Sequence, residues 1–496
     1  MTSFHEFFGQ KSVLITGASG FVGKVLLFRL LRECLQIKAI YILLRPKAGQ
    51  TAEKRANLLL SLSLFDPIRR QSLSQLDKVI PVCGDVTLDD LGLNALDKSI
   101  LQQNVNIVFH SAATVRFDEP LRRALQLNLQ STERVLRLCL SLVKLDAFVH
   151  VSTAYCTRDK SNVLESVEDW KSQSARRLLD AAQWMDDSAL DAIARRLVGD
   201  HFPSTYHITK CLSEQLLVSE GRGLPLAIIR PSIIGAALSE PSNGWTDNYN
   251  GLSGFFVAAG KGVLRTLHAL PDAVCDVIPV DLVANTCISA AVSVATRRRE
   301  LPLVVNCTSG TLNAVTWRQI RDYSETLFFR FPSQELFRSP SVHLHTSRVI
   351  HGIHLLAEHK IPSFIVDLLF RSFGLKPILG KVYEKVNRSV SALEFFTTNE
   401  WHFRCEELLR LTSDPSFPID VRDINWKSYF SDYVLGVRRH LLRESDDTLP
   451  DARRRIQRLY FWTQISKSFV VFCVFLKVVS FLRQKRQKLT SLLPKA

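Results

Sequence analysis

Residues Ser12–Cys34 read "SVLITGASGFVGKVLLFRLLREC", a short apolar β-branched run, then a glycine-rich turn, then helical periodicity through Val25, Leu26, Phe28 and Leu31. Strand, turn and helix in that order open an α/β sheet. Gly17, Gly20 and Gly23 form GxxGxxG, where missing side chains permit a tight turn, close approach of the backbone to a pyrophosphate, and close helix packing. With Ser19 and Phe21 they make a candidate dinucleotide cradle, with the phosphates on the helix N-terminus.

Further strands are expected in "AIYILLRP" (Ala39–Pro46), "VIPVCGDV" (Val79–Val86), "NIVFHSAA" (Asn106–Ala113), "AFVHVSTA" (Ala147–Ala154) and "LAIIRPS" (Leu226–Ser232). Near-continuous apolar strands alternating with helical stretches imply a doubly wound parallel sheet covered on both faces. An acidic residue after the second strand would hold a ribose diol, but here Arg45 is followed by Lys47. Those cations suit a 2′-phosphate, which favours NADPH over NADH. Asp85 is placed to accept an adenine amino hydrogen bond, or simply to form a turn. Val86, Ala112 and Ala113, after the third and fourth strands, complete the candidate cofactor set.

In "STYHITKCLSEQ" (Ser204–Gln215) a tyrosine and a lysine stand four residues apart, a spacing that stacks both on one face of a helix. Ser152 and Thr153 close the fifth strand, and the carboxyl ends of parallel strands are where such sheets bind ligands. One of these hydroxyls, Tyr206 and Lys210 therefore form a candidate catalytic group. The ammonium of Lys210, together with an oxidised nicotinamide ring, is expected to lower the Tyr206 pKa from about 10. The choice between Ser152 and Thr153 stays open.

The chain of 496 residues carries a net charge of +15 and 46% hydrophobic residues, enough for a large α/β unit and a smaller second domain. The positive charge favours an anionic partner: a phosphorylated cofactor, a nucleic acid or an acidic membrane face. No zinc-spaced cysteines, no repeats and no aromatic-basic interleaving are present, so neither metal nor nucleic acid is expected. Ten scattered cysteines and the unremarkable start "MTSFHEFFGQ" suit reduced, cytosol-facing thiols. Cys156 is read as a buried small hydrophobe sooner than as a nucleophile toward a thioester.

Taken together, "TGASGFVG", "VSTAYC" and "YHITK" resemble the extended short-chain dehydrogenase/reductase group. "FHSAATVRFDEPL" (Phe109–Leu121), "RPSIIGAALSEPSNGWTDNYNG" (Arg230–Gly251) and "VIPVDLVAN" (Val277–Asn285) narrow the resemblance to the fatty acyl-CoA reductases. "FFTTNEWHFRCEELLRL" (Phe395–Leu411) and "DINWKSYFSDYVLGVRRHLL" (Asp423–Leu442) are similar to that family's male-sterility-like C-terminal region. The resemblance runs from about residue 11 to about residue 445, with Ser131 standing where the wider group often has glycine. It implies that NADPH reduces a long-chain acyl-CoA to an alcohol through an aldehyde, with CoA released. On that reading Tyr206 protonates the oxygen, Lys210 also holds the nicotinamide ribose, and Thr153 or Ser152 hydrogen-bonds the carbonyl. A nucleotide-sugar epimerase, another small-substrate reductase, or a silent cofactor-binding protein would share the scaffold. The Pro231–Gly251 segment suits a loop over the thioester.

The expected division is a reductase domain over 1–300, a mainly helical substrate-associated domain over 301–455, and an apolar tail over 456–496. "IPSFIVDLLFRSFG" (Ile361–Gly374) is too short to cross a bilayer and suits an acyl-chain surface, a lipid interface or a core helix. "FWTQISKSFVVFCVFLKVVSFL" (Phe461–Leu482) is long enough to be a transmembrane helix but contains Lys477, so spanning and lying in the interface both remain open. "RQKRQK" after it suits anionic headgroups. Membrane association, facing the cytosol, is expected, and the resemblance implies endoplasmic reticulum or peroxisome; the final "PKA" is not a Ser-Lys-Leu address.

Overall fold

The computed structural model describes residues 3–490 except 48, 158, 169–173, 198–201, 203, 298, 378 and 412–413. The opening stretch forms β1 (Ser12–Thr16), the glycine turn, and a helix over Phe21–Glu33. The other expected strands follow as β2 (Ala39–Leu44), β3 (Val79–Cys83), β4 (Val105–His110), β5 (Ala147–Val151) and β6 (Leu226–Pro231). Short strands β7 (Ile233–Gly235), β8 (Thr266–His268) and β9 (Val277–Pro279) precede β10 (Leu303–Cys307), and β11 (His343–His345) follows it.

Seven strands make one sheet in the order β10-β6-β5-β4-β1-β2-β3, parallel throughout. The strand order reverses between β1 and β4, which opens a crevice at their carboxyl ends. β1, β2, β5 and β6 are buried along their whole length because helices cover both faces of the sheet. On one side the helix Val280–Thr296 packs against Phe21–Glu33, and on the other lies the helix Thr205–Glu220.

β10 lies beyond the boundary expected at residue 300. Its run "LVVNC" pairs Leu303 with Ala227 and Cys307 with Pro231, so the reductase sheet reaches at least to 307. The C-terminal part is mainly helical, and most of its described buried apolar residues share the core of the sheet. Phe403, Cys405, Phe417, Phe430 and Tyr433 belong to the same buried cluster as Val13 and Ile15 of β1. Asn306 fastens the two parts by donating to the carbonyls of Val163 (3.1 Å) and Arg404 (2.8 Å).

The tail forms one long helix, Leu449–Thr490, rooted by buried Ala452 and Ile456. Among the described residues no helix is long and apolar enough to cross a membrane.

Arg230, at the end of β6, is fully buried and meets Glu214 of the helix Thr205–Glu220 at 2.9 Å through Nε. The guanidinium also donates to the carbonyls of Leu164 and Ser166, both at 3.0 Å. Removing one partner strands a buried charge, at a cost of about 3–5 kcal/mol. Arg230→Met is expected to lose stability on that scale in urea denaturation; a loss below about 1 kcal/mol would show that the pair does not hold this helix to the sheet.

Candidate active site

The glycine turn is shaped by backbone contact. Gly17 has φ +77°, and a Cβ there would lie 2.6 Å from the Ala112 nitrogen. A Cβ on Gly23 would lie 2.2 Å from the Gly17 carbonyl oxygen. Both positions therefore exclude a side chain for internal reasons. Gly20 differs: it is exposed, and its Cβ would approach only the Gly17 oxygen, at 3.1 Å. Its outer side is open, as is Ser19, and the helix that starts at Phe21 has no side-chain cap. Uncapped N–H groups beside an open glycine edge fit a pyrophosphate.

The remaining cofactor candidates ring the same edge of the sheet. Ala112 and Ala113 sit beside Gly17, held by Ser111, whose hydroxyl donates to the Thr16 carbonyl at 2.9 Å. Arg45 and Lys47 are exposed after β2. Asp85 and Val86 are half-buried after β3, and Asp85 Oδ1 closes a turn by accepting from Thr87 N (2.9 Å) and Oγ1 (2.8 Å). Phe21 turns its ring to stack on Trp245, with centroids 5.5 Å apart, so only its backbone faces the turn.

The segment expected over the substrate closes on the glycine-turn helix at this point. Next to the Phe21–Trp245 stack, Asp247 pairs with Lys24. The "GWTDN" stretch thus borders the cofactor crevice through the first turn of that helix.

Tyr206 and Lys210 share a face of the helix Thr205–Glu220, with Glu214 one turn further on. The Lys210 ammonium is buried and donates to the Val151 carbonyl, the last residue of β5, at 2.6 Å. Burial lowers its pKa to about 8, with Glu214 pulling the other way. The Thr153 hydroxyl lies beside the Tyr206 phenol, while the Ser152 hydroxyl turns to the Cys156 sulfur at 3.9 Å. Packing therefore brings Thr153, Tyr206 and Lys210 together and leaves Ser152 aside.

The expected acidic phenol is corrected. Burial raises the Tyr206 pKa, and only the neighbouring Thr153 hydroxyl opposes it. The Lys210 ammonium is committed to the strand end instead. Cys156 donates to Glu214 Oε1 at 3.1 Å, and burial next to that carboxylate raises its pKa well above the ordinary value. It is a protonated structural thiol.

Sequence reading missed Asn128. Its amide oxygen accepts from Thr114 N at 2.9 Å, its amide nitrogen donates to Thr209 Oγ1 at 2.9 Å, and Ser213 donates to its carbonyl at 3.2 Å. It thereby fastens the loop after β4 to the Tyr206 helix. The available signal was "NLQST" itself, but the π-helical turn Leu125–Gln130 that aims this side chain inward has no plain sequence mark. His110 and His150 are also buried here, held neutral by burial and by the nearby Lys210 charge.

This sheet, turn and side-chain group define a nicotinamide-dinucleotide reductase of the short-chain dehydrogenase type. A family model described as "Male sterility protein", of an NAD-binding kind, matches residues 15–287, and a second of the same description matches 358–444. Fatty acyl-CoA reductase 1 of Gallus gallus is 40% identical over 465 residues, covering 92% of this chain and 90% of its own. The Homo sapiens proteins of that name and of the name fatty acyl-CoA reductase 2 are 38% and 37% identical, with the same coverage. The chain belongs to the fatty acyl-CoA reductase family. Two solved reductase domains share the fold: the terminal R domain of the myxalamid pathway (TM-score 0.58, 16% identity, 88% of this chain and 93% of that one) and a Mycobacterium tuberculosis non-ribosomal peptide synthetase R domain (0.58, 19%, 88% and 92%).

The turn geometry generates a binding prediction. Gly23→Ala is expected to weaken the reduced dinucleotide by about tenfold or more in a fluorescence titration, because the new methyl group collides with the Gly17 carbonyl. Gly352→Ala, which meets nothing within 4 Å, is expected to bind like the wild type. Equal affinities for all three proteins would refute the cradle.

Proposed function

We infer that this chain reduces long-chain fatty acyl-CoA to the alcohol by way of the aldehyde, releasing CoA, with NADPH as reductant. The convergence of Thr153, Tyr206 and Lys210 at the end of β5, in a chain of this family, supports the reading.

Gly17, Ser19, Gly20, the Phe21 backbone and Gly23 would hold the pyrophosphate, Ala112 and Ala113 would floor the crevice, and Asp85 and Val86 would face the adenine. Exposed Arg45 and Lys47 would meet a 2′-phosphate, which is the basis for proposing NADPH over NADH. Bound NADPH supplies the hydride. The residues of the chain handle charge and protons. Tyr206 and Thr153, side by side after β5, would offer two hydroxyls to one carbonyl oxygen, and Tyr206 would give that oxygen a proton as negative charge develops. A phenol kept protonated by burial is already in the form a donor needs. Lys210 stands behind it as a fixed positive charge where little water screens it. In the first reduction the oxygen returns that proton to Tyr206 as the C–S bond breaks and the CoA thiolate leaves; in the second, a further hydride converts the aldehyde to the alcohol, which keeps the Tyr206 proton, and solvent restores it.

By residue number we propose a reductase part over 1–300 extended by β10, a helical substrate-associated part to 455, and a tail from 456. The tail is proposed to meet the lipid, with exposed Tyr460, Phe461 and Trp462 at the interface and the basic sequence RQKRQK suited to anionic headgroups. An endoplasmic reticulum or peroxisome membrane, reached from the cytosol, is the proposed location.

Incubating the purified chain with a range of acyl-CoAs and either NADPH or NADH, with products identified by mass spectrometry, is expected to yield fatty alcohol and free CoA preferentially with NADPH. Tyr206→Phe is expected to cut turnover by about a hundredfold or more while NADPH still binds. Alcohol formation by that variant at the wild-type rate would refute the assignment of the proton donor.

A further inference from the structure

Helix Arg348–Leu355 runs through the turn Leu356–Lys360 into helix Ile361–Ser372. On the second helix Ile361, Phe364, Ile365, Leu368 and Leu369 are exposed, a spacing of 0, 3, 4, 7 and 8 that Phe373 continues. This is the apolar stripe of an amphipathic helix, but turned outward. Its inner side is occupied: Ser363 is buried, and Asp367 accepts from the Leu379 and Gly380 N–H groups at 3.0 and 2.8 Å. Val349, Ile350 and Ile353 extend the outward face along the first helix. Exposures between 48% and 77% leave these side chains standing clear of the surface, where they do not form the concave walls that an acyl chain would need.

Charge around the face is sorted by sign. Lys360, Arg371 and Lys376 are exposed, and Arg348, also exposed, reaches Glu394 at 3.3 Å. The two acids of the segment are paired within the protein, Asp367 with the backbone as above and half-exposed Glu358 with Arg338 (3.3 Å) and Arg265 (3.6 Å). A convex aliphatic and aromatic face rimmed by cations matches a bilayer carrying anionic headgroups. A second copy of the chain would bring the same cations against one another. The face also shares its footing with the tail helix: within 330–338, Arg330 and Gln334 carbonyls accept from Arg453 and Arg455, while Arg338 binds Glu358 and the Tyr383 hydroxyl.

We propose that the outward face of helices Arg348–Leu355 and Ile361–Ser372 is a membrane-docking surface for anionic phospholipid, separate from the C-terminal tail. It stands on this geometry whether or not the reductase reading holds. If that reading holds, the helix Leu379–Thr397, which packs on this platform, connects the docking surface to the active-site wall. Its Phe396 meets Phe117 at 5.7 Å, and Phe117 meets Tyr206 at 5.9 Å.

The test is flotation of the full chain with vesicles of phosphatidylcholine alone or with about 30% phosphatidylserine. The wild type is expected to float with the anionic vesicles. In a full chain whose tail contact is weakened by Phe461→Glu and Trp462→Glu, Phe364→Glu combined with Leu368→Glu is expected to lower the bound fraction by about tenfold, and Leu73→Glu, at an exposed apolar residue elsewhere, to leave it unchanged. Reversing the rim in the same background with Arg371→Glu and Lys376→Glu is expected to weaken the preference for anionic vesicles, with melting temperature and dinucleotide binding as controls for folding. Vesicle binding by both variants equal to that background would overturn the proposal and leave the tail as the only contact. So would absence of wild-type binding to either vesicle, or a dimer seen by light scattering that the Phe364/Leu368 variant splits without change in vesicle binding.

Discussion

Taking a lysine ammonium out of water disfavours its charged form, yet Lys210 stands buried at the carboxyl end of β5 and spends a hydrogen bond on the Val151 carbonyl. That bond sets how the helix Thr205–Glu220 meets the sheet. Everything on the same helical face follows: Tyr206 reaches the Thr153 hydroxyl, and Glu214 meets the buried Arg230. The carboxylate also limits how far burial lowers the Lys210 pKa. One face of one helix thereby carries the proposed proton donor, a buried ammonium and one member of the ion pair that seats both.

The arrangement depends on neighbours that make no obvious claim to chemistry. Asn128 links the loop after β4 to Thr209 and Ser213, so the floor of the cofactor crevice and the Tyr206 helix are held as one body. On the far side of the glycine turn, the Trp245 stack and the Asp247–Lys24 pair steady the helix whose N–H groups would receive the phosphates. Preorganisation of this sort matters because donors already in place need not reorganise as charge develops.

The sheet was legible because its strands are buried on both faces and so read as unbroken apolar runs; "SVLIT", "AIYILL" and "AFVHV" needed little else. β10 was not, since five residues after an arginine-rich stretch look the same as the start of a helical region. Spacing put Tyr206 and Lys210 on one helix face, and turn chemistry put the glycines in the turn after β1, where the structure has them. Spacing could not choose between Ser152 and Thr153, adjacent residues whose hydroxyls are separated only by how the chain turns after β5. The sign of the Tyr206 shift was misread for a related reason: a four-residue spacing says that an amine is near, but burial and the competing Val151 carbonyl decide what the phenol feels. The helix at Ile361 was ambiguous between core and surface because amphipathicity reports a stripe and not which way it faces.

The central claim is that a charged Lys210 supports proton donation by Tyr206, and its most direct test is the pH dependence of kcat/KM for acyl-CoA reduction. Because burial depresses the Lys210 pKa, the ammonium is present below about pH 8 and is lost above it, in a range where a solvated lysine near 10.4 would stay charged. The account predicts a fall in kcat/KM on the alkaline side with an apparent pKa near 8. A profile that stays flat to about pH 10 would contradict it.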